Sequence, residues 1–386
     1  MAAPASKGTR FTRLSLENWR NFSKVEANLQ RRVFLVGPNA SGKSNLLDVF
    51  RFLQAIVSIG GGFQEAVRRR GGVSLLRCLA ARRHPDVTIS VDVGTEENLA
   101  EWGYELRFKH DHQGRPIITS ERVFKNSNQI LDRPNESDRG DPERSSQTYL
   151  EQVNVNREFR DLSSFFGSIR YLHIVPHLIR DPDRSIGKKN DPFGGDFIEQ
   201  IARTTERTWR SRLSRIRKAL EVAVPQLKTL ELSRDSRGTP HLRGKYEHWR
   251  PRGAWQTESD FSDGTLRLIG LLWAVLDGAG PLLLEEPELS LHSEVVTFLP
   301  QMIARIQRRT GRQVLMSTHS PDLLSDSGIG TDEILLLQPD TEGTSVRAAS
   351  EIEEVKNLLA GGLSPAEAVI PQTRPKNASQ LPLFGE

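Results

Sequence analysis

Eight residues, Gly37-Pro38-Asn39-Ala40-Ser41-Gly42-Lys43-Ser44, separate the apolar run Val33-Phe34-Leu35-Val36 from the helix-like stretch Asn45 to Leu53. A buried strand that turns through glycines into an amphipathic helix is a building unit of α/β proteins with a largely parallel sheet. The glycines let consecutive backbone N–H groups wrap an anion, and the helix contributes the positive end of its dipole. In that context Lys43 is placed for the β- and γ-phosphates of a nucleoside triphosphate, and the Ser44 hydroxyl for Mg²⁺. Asn45, the next residue, belongs to the same candidate cradle.

The 386 residues allow one large α/β domain with a substantial insertion, or two lobes. The 53 Lys and Arg against 49 Asp and Glu leave a formal charge of +4, a mild basic bias that permits nucleic acid without arguing for it. The single cysteine, Cys78, excludes an intramolecular disulfide framework and suits a reducing cytoplasm, which is the expected location. Met1 to Gly8 lacks the apolar stretch of a secretory signal. The most apolar window, Leu266 to Leu284, is interrupted by Arg267, Asp277 and Gly278-Ala279-Gly280-Pro281, so a helix, a turn and a buried strand are expected rather than a membrane span.

Phe11 to Leu16 and Arg32 to Val36 have strand patterns, and Val87 to Val93, Tyr104 to Lys109 and Ile117 to Phe124 suggest an antiparallel sheet beside them. Asp132 to Gln147, rich in Pro, Ser, Asp and Arg, reads as a mobile surface loop. Ile169 to Val175 is a further strand. Ile201, Trp209, Leu213, Ile216 and Leu220 recur at helical steps and predict one long helix over Phe197 to Val224. Its other face carries Arg203, Arg207, Arg210, Arg212, Arg215, Arg217 and Lys218, either a solvated face or a contact with nucleic acid or a partner. Lys228 to Arg234 and His241 to Tyr246 form a hairpin pattern. The expected division is 1–95 for the first ATPase part, 96–255 for an insertion, 256–345 for the second ATPase lobe, and 346–386 for a terminal helix and flexible tail.

Pro281-Leu282-Leu283-Leu284-Glu285-Glu286-Pro287-Glu288 is a buried strand ending in adjacent carboxylates. A parallel sheet delivers that end to the edge where the phosphate loop also lies. Glu285 is then placed to hold Mg²⁺ and Glu286 to polarise an attacking water. Ser262-Asp263-Gly264 opens the apolar helix Leu266 to Leu276 and reads either as a plain N-cap or as a second phosphate-binding helix end. A last strand, Gln313 to Ser317, leads to His319. His110 with His112, and His173 with His177, lack the spacing of metal ligands on a helix face.

In this order the motifs resemble the ABC-type ATPases, in the branch containing RecF, SMC and OLD-family proteins. Ser262-Asp263-Gly264 stands where that family has its signature, Leu282 to Glu286 is similar to a Walker B strand, Leu289-Ser290-Leu291-His292 to a D-loop, and His319 to the switch histidine. Asn18-Trp19-Arg20-Asn21-Phe22 is also similar to this branch, and implies nucleotide contacts from Arg20 and Asn21. The resemblance implies an α/β fold with a mixed central sheet, an antiparallel β lobe and a helical insertion. It also implies ATP and Mg²⁺ as cofactors, Lys43, Glu286 and His319 as catalytic groups, and a homodimer with ATP sandwiched between subunits.

Two departures stand out. Glu285 occupies the place of an aspartate, and the Q-loop glutamine is unassigned between Gln152 and Gln200. The expected role is an ATP-driven switch acting on DNA in anti-phage defence or repair with a separate effector such as a nuclease. Alternatives are an ATP-held scaffold with negligible turnover and, further off, a transporter ATPase subunit. Near the terminus Gln380, Leu381, Leu383 and Phe384 resemble a sliding-clamp docking peptide, or else belong to a segment that folds back on its own domain or docks on another subunit.

Overall fold

The computed structural model describes residues 8–80, 86–182, 191–247 and 254–373, so the candidate clamp segment at Gln380 to Phe384 lies outside the described residues. In chain order the strands are β1 (Arg10–Trp19), β2 (Phe22–Asn28), β3 (Arg32–Val36), β4 (Val87–Gly94), β5 (Trp102–His110), β6 (Pro116–Lys125), β7 (Asn128–Arg133), β8 (Arg170–Leu172), β9 (Leu227–Arg234), β10 (Pro240–Tyr246), β11 (Ala254–Thr257), β12 (Leu282–Glu285), β13 (Val314–Thr318), β14 (Ile334–Asp340) and β15 (Gly343–Ala348). They form an antiparallel sheet β2-β1-β4-β5-β6-β7, a mixed central sheet β15-β14-β3-β13-β12-β8 and a small sheet β11-β10-β9.

Within the central sheet β14, β3, β13, β12 and β8 run parallel, with β15 antiparallel at one edge. Their side chains alternate between two cores. Val33, Leu35, Leu283, Leu315, Leu335 and Leu337 face one, and Phe34, Val36, Leu282, Leu284, Val314, Met316, Ile334 and Leu336 face the other. Both faces are covered, which is why these strands read as unbroken apolar runs rather than as alternating ones. Because the strands are parallel, whatever follows β3, β13, β12 and β8 emerges at one edge of the sheet.

The helix Lys43–Val57 fills the space between the central sheet and the antiparallel sheet, burying Leu46, Leu47, Val49, Phe50, Phe52, Leu53 and Ile56. Phe50 meets Phe11 of β1 with ring centroids 4.7 Å apart. Each such side chain contributes about 1.5–3 kcal/mol through burial, so the position of this helix is set by the core and not by its loop. The other core lies under the helices Asp263–Leu276 and Ser293–Thr310, with Leu213, Ile216 and Leu220 of a further helix closing it.

Two differences from the sequence expectation have local causes. The expected helix over Phe197 to Val224 is two helices, Phe197–Arg203 and Glu206–Leu220, because Thr204 and Thr205 are extended. Thr204 Oγ1 bonds the Ile201 carbonyl at 2.7 Å and Thr205 Oγ1 pairs with Thr208 Oγ1 at 2.8 Å, the local competition that hydroxyls offer a helix backbone. The segment Asp132 to Gln147, expected to be a mobile loop, carries the helices Glu136–Gly140 and Pro142–Ser146. It is anchored by buried Arg133, which pairs with Glu121 at 2.9 Å and Asp138 at 2.8 Å. β4 and β5, joined across residue 95, are hydrogen-bonded neighbours in the antiparallel sheet.

Candidate functional site

The loop Gly37 to Gly42 joins β3 to the helix that begins at Lys43. A Cβ at Gly37 would come within 2.6 Å of Ser41 Oγ and 2.7 Å of the Leu337 carbonyl. At Gly42, where φ is +93°, it would lie 2.2 Å from Asn21 Nδ2. Both positions therefore exclude a side chain, and Gly42 also needs the left-handed backbone. Asn21 clamps this turn from outside by donating to the Ser41 carbonyl at 3.1 Å and Thr344 Oγ1 at 2.8 Å, and by accepting from Asn45 Nδ2 at 2.7 Å. Buried Trp19 adds a bond from Nε1 to the Asn45 carbonyl at 2.8 Å. Lys43 is buried and donates to the Gly37 and Pro38 carbonyls at 2.8 and 3.0 Å. Burial lowers its pKa, against the opposing pull of Glu286, Glu288 and Glu285.

Glu285 ends β12 and is paired in register with Ser317 of β13. One of its carboxylate oxygens accepts the Ser44 hydroxyl and the other accepts the Tyr171 hydroxyl of β8. Glu286 follows with φ of +44°, unusual for a residue with a side chain. Its amide is held by the Ser317 carbonyl at 3.1 Å, and its Oε1 lies 3.2 Å from His319 Nδ1. A left-handed glutamate costs about 1–2 kcal/mol, and the backbone spends it to turn this carboxylate toward His319 rather than along the strand. Glu288 is buried and accepts Thr318 Oγ1 at 2.6 Å. Burial raises its pKa, opposed by the Thr318 bond.

Sequence reasoning overlooked several neighbours. Tyr171 touches Glu285, and burial followed by the Glu285 contact raises its phenol pKa far above the ordinary value. His173 Nδ1 lies 3.4 Å from the Glu285 carbonyl. The expected Q-loop candidates are elsewhere engaged, Gln152 with the Thr148 carbonyl at 3.1 Å and Gln200 with Asp196 at 2.9 Å. Arg20 pairs with Asp48 at 3.2 Å, alongside Arg70 at 2.7 Å. Burial alone would raise the Asp48 pKa, but the Arg70 hydrogen bonds and the charges of Arg70, Arg51 and Arg20 outweigh it and hold it low.

Ser262 caps the helix Asp263–Leu276 by accepting the Thr265 amide at 3.2 Å. Ser262 and Asp263 are exposed while most of the helix behind them is buried. Asp263 pairs with Arg180 at 2.5 Å, and Gly264 packs so closely under Ser290 that a Cβ would sit 2.5 Å from its carbonyl oxygen.

The family described as "AAA domain, putative AbiEii toxin, Type IV TA system" matches residues 32–325, about three quarters of the chain and every strand end just described. The chain belongs to this AAA family. Among solved structures, this AAA protein resembles an Smc head bound to the C-terminal winged-helix domain of ScpA, with a TM-score of 0.54 and 14% identity over 87% of this chain and 96% of that one. It also resembles an Smc head with an extended coiled coil, bound to the C-terminal domain of ScpA and derived from Pyrococcus furiosus, with a TM-score of 0.52 and 12% identity over 91% and 100% of the two chains. At such identities the likeness concerns the fold, which is that of ABC-type P-loop ATPases. No curated protein sequence matches the chain.

The residues of this AAA protein fit a triphosphate with a hard divalent cation. The cradle at Gly37 and Gly42 leaves no room for a Cβ, Ser41 Oγ is buried without a hydrogen-bond partner, and the donors meeting at Ser44 and Glu285 are oxygens. No cluster of three His, Cys, Asp or Glu suited to a metal occurs among the described residues. No helix among the described residues is long and apolar enough to cross a membrane.

Proposed function

We propose that this AAA protein binds ATP with Mg²⁺ and hydrolyses it in a site completed by a second copy of the chain. The closed and open dimers then switch a separate effector in a DNA-associated process of defence or repair. The observation that carries this reading is the convergence of Ser44, Glu285, Glu286 and His319 at the ends of adjacent parallel strands, beside a loop that excludes side chains.

Lys43 and the loop amides would hold the phosphates, and Ser44 and Glu285 the metal ion. When bound, that ion neutralises phosphate charge and polarises the γ-phosphoryl group. Glu286, beside His319, would orient the attacking water and accept its proton, and His319 would contact the γ-phosphate. The exposed Ser262 and the amides around Gly264 would cap the nucleotide of the partner copy, so loss of the γ-phosphate loosens the dimer.

The family's description, which names a Type IV TA system, supports the defence context, and the Smc heads bound to ScpA support a partner protein. Arg207, Arg215 and Lys218 lie along one face of the helix Glu206–Leu220 and make no ion pair among the described residues, which supports contact with a nucleic-acid backbone. The presence of Glu285 favours a second reading, a scaffold that ATP holds closed with little turnover.

Glu286→Gln separates the two. A switch loses at least about 100-fold in hydrolysis and gains a persistent ATP-bound dimer on gel filtration. A wild type that already forms the same persistent dimer establishes the scaffold instead. A wild-type rate strictly linear in protein concentration and unmoved by DNA overturns the composite DNA-associated site.

A further inference from the structure

β8 and β12 are parallel, with Tyr171 beside Leu283 and Leu172 beside Leu284. Leu283 and Tyr171 both lie on the side of the sheet covered by the helix Lys43–Val57. Glu285 is two residues beyond Leu283, so it projects from the same face one pleat further along. A tyrosine leaning along its strand spans that offset, and its hydroxyl reaches one oxygen of Glu285. The other oxygen takes the Ser44 hydroxyl, from the first turn of the same helix. Seven residues on, Arg51 stacks on the Tyr171 ring, its guanidinium carbon 4.0 Å from the centroid. Tyr171 is thus fixed from above by the helix and fixes Glu285 in turn.

We propose that Tyr171 is the positioning residue for the metal-binding carboxylate, and that it is what makes a glutamate workable where the resemblance expects an aspartate. This rests on the ATP·Mg²⁺ reading above. Glutamate carries one more methylene, about 1.5 Å of extra reach and one more rotatable bond. With Tyr171 holding Oε2, that freedom is removed and Oε1 stays at Ser44. Shortened by one methylene, the carboxylate cannot bridge Ser44 and Tyr171 together, so the tyrosine has no purchase on an aspartate.

The test is a cycle of Tyr171→Phe, Glu285→Asp and the double variant in the full chain. Phenylalanine keeps the ring under Arg51, and thermal melting checks that each variant folds. The first readout is Mn²⁺ affinity in the presence of a non-hydrolysable ATP analogue, followed by electron paramagnetic resonance. The second is analogue binding in EDTA, and the third the Mg²⁺ concentration that half-activates hydrolysis. The expected result for Tyr171→Phe is roughly tenfold weaker Mn²⁺ affinity and a matching rise in Mg²⁺ requirement, with analogue binding in EDTA within twofold of wild type, the pattern of one lost charge-assisted hydrogen bond. In the Glu285→Asp background the same change has no effect on Mn²⁺ affinity.

An equal effect in both backgrounds, or none in either, overturns the proposal. So does a loss confined to analogue binding in EDTA. If the wild type binds analogue and Mn²⁺ but does not hydrolyse ATP, the catalytic reading falls and the Mn²⁺ cycle still decides the role of Tyr171. If it binds neither, both fall together.

Discussion

Gly42→Ala probes the loop where its geometry is tightest. The substitution places a side chain at φ of +93°, a backbone cost of about 1–2 kcal/mol. It also sets the new Cβ 2.2 Å from Asn21 Nδ2, far inside contact, so the Asn21 amide must leave. Asn21 then gives up its bonds to Ser41, Thr344 and Asn45, at about 1 kcal/mol each. The total is about 4–5 kcal/mol, a large share of the stability of a typical domain. Asn21→Ala alone forfeits the same three bonds, about 3 kcal/mol, without straining the backbone. The two changes are therefore redundant. In the double variant only the backbone term is added to the Asn21 loss, so it matches Gly42→Ala and falls about 3 kcal/mol short of the sum of the single variants. Urea unfolding of the three variants measures this directly. Additive costs would refute the argument, because they would mean that the new methyl does not displace Asn21.

Other outcomes follow from the charges and from the exposed start of the helix Asp263–Leu276. Glu151 is half-buried, and desolvation lifts its carboxyl from 4.5 to about 7 against the bonds it accepts from Phe63 and Thr148. The folded state therefore binds a proton more tightly than the unfolded chain, so this group's contribution is fully present below pH 4.5 and is lost as pH rises to about 7, a swing of about 3 kcal/mol. Glu151→Gln is expected to stabilise the protein at pH 8 and leave it unchanged at pH 4.5; equal effects at both pH values, read by denaturant midpoints, contradict this. For the proposed composite site, Lys43→Ala and Ser262→Arg subunits are each expected to be inactive alone, while an equal mixture regains about a quarter of the wild-type rate through the one intact site of each mixed dimer. No recovery after subunit exchange argues that each chain works alone.

The sequence announced the loop, the carboxylate pair and His319 because each is a contiguous motif at the end of an apolar strand, and parallel strands bring their ends together whatever lies between. It did not announce β2, whose polar outward positions Ser23, Lys24, Glu26 and Asn28 dilute its apolar signal. Nor did it reveal that Thr204 and Thr205 break a helix whose apolar spacing continues across them, since the periodicity comes from two helices packed in one core. Arg133 anchors a segment of loop-like composition through Glu121, a partner on β6 that no local pattern names.

The same distinction governs the candidate site. Glu285 read alone is a departure from the aspartate that its motif leads one to expect, and a reason to anticipate slow turnover. What resolves it is the pairing of β8 with β12, strands separated by more than a hundred residues, which sets Tyr171 one pleat behind the carboxylate. Arg51, two helical turns past Ser44, then closes the frame over Tyr171 from the other side. A substitution that looks like a defect along the chain is matched across the sheet, because the added methylene is taken up between two hydroxyls. On the proposed role of Tyr171, the effect of Glu285 on turnover depends on both residues, and the double variant rather than either single change is the measurement that reads it.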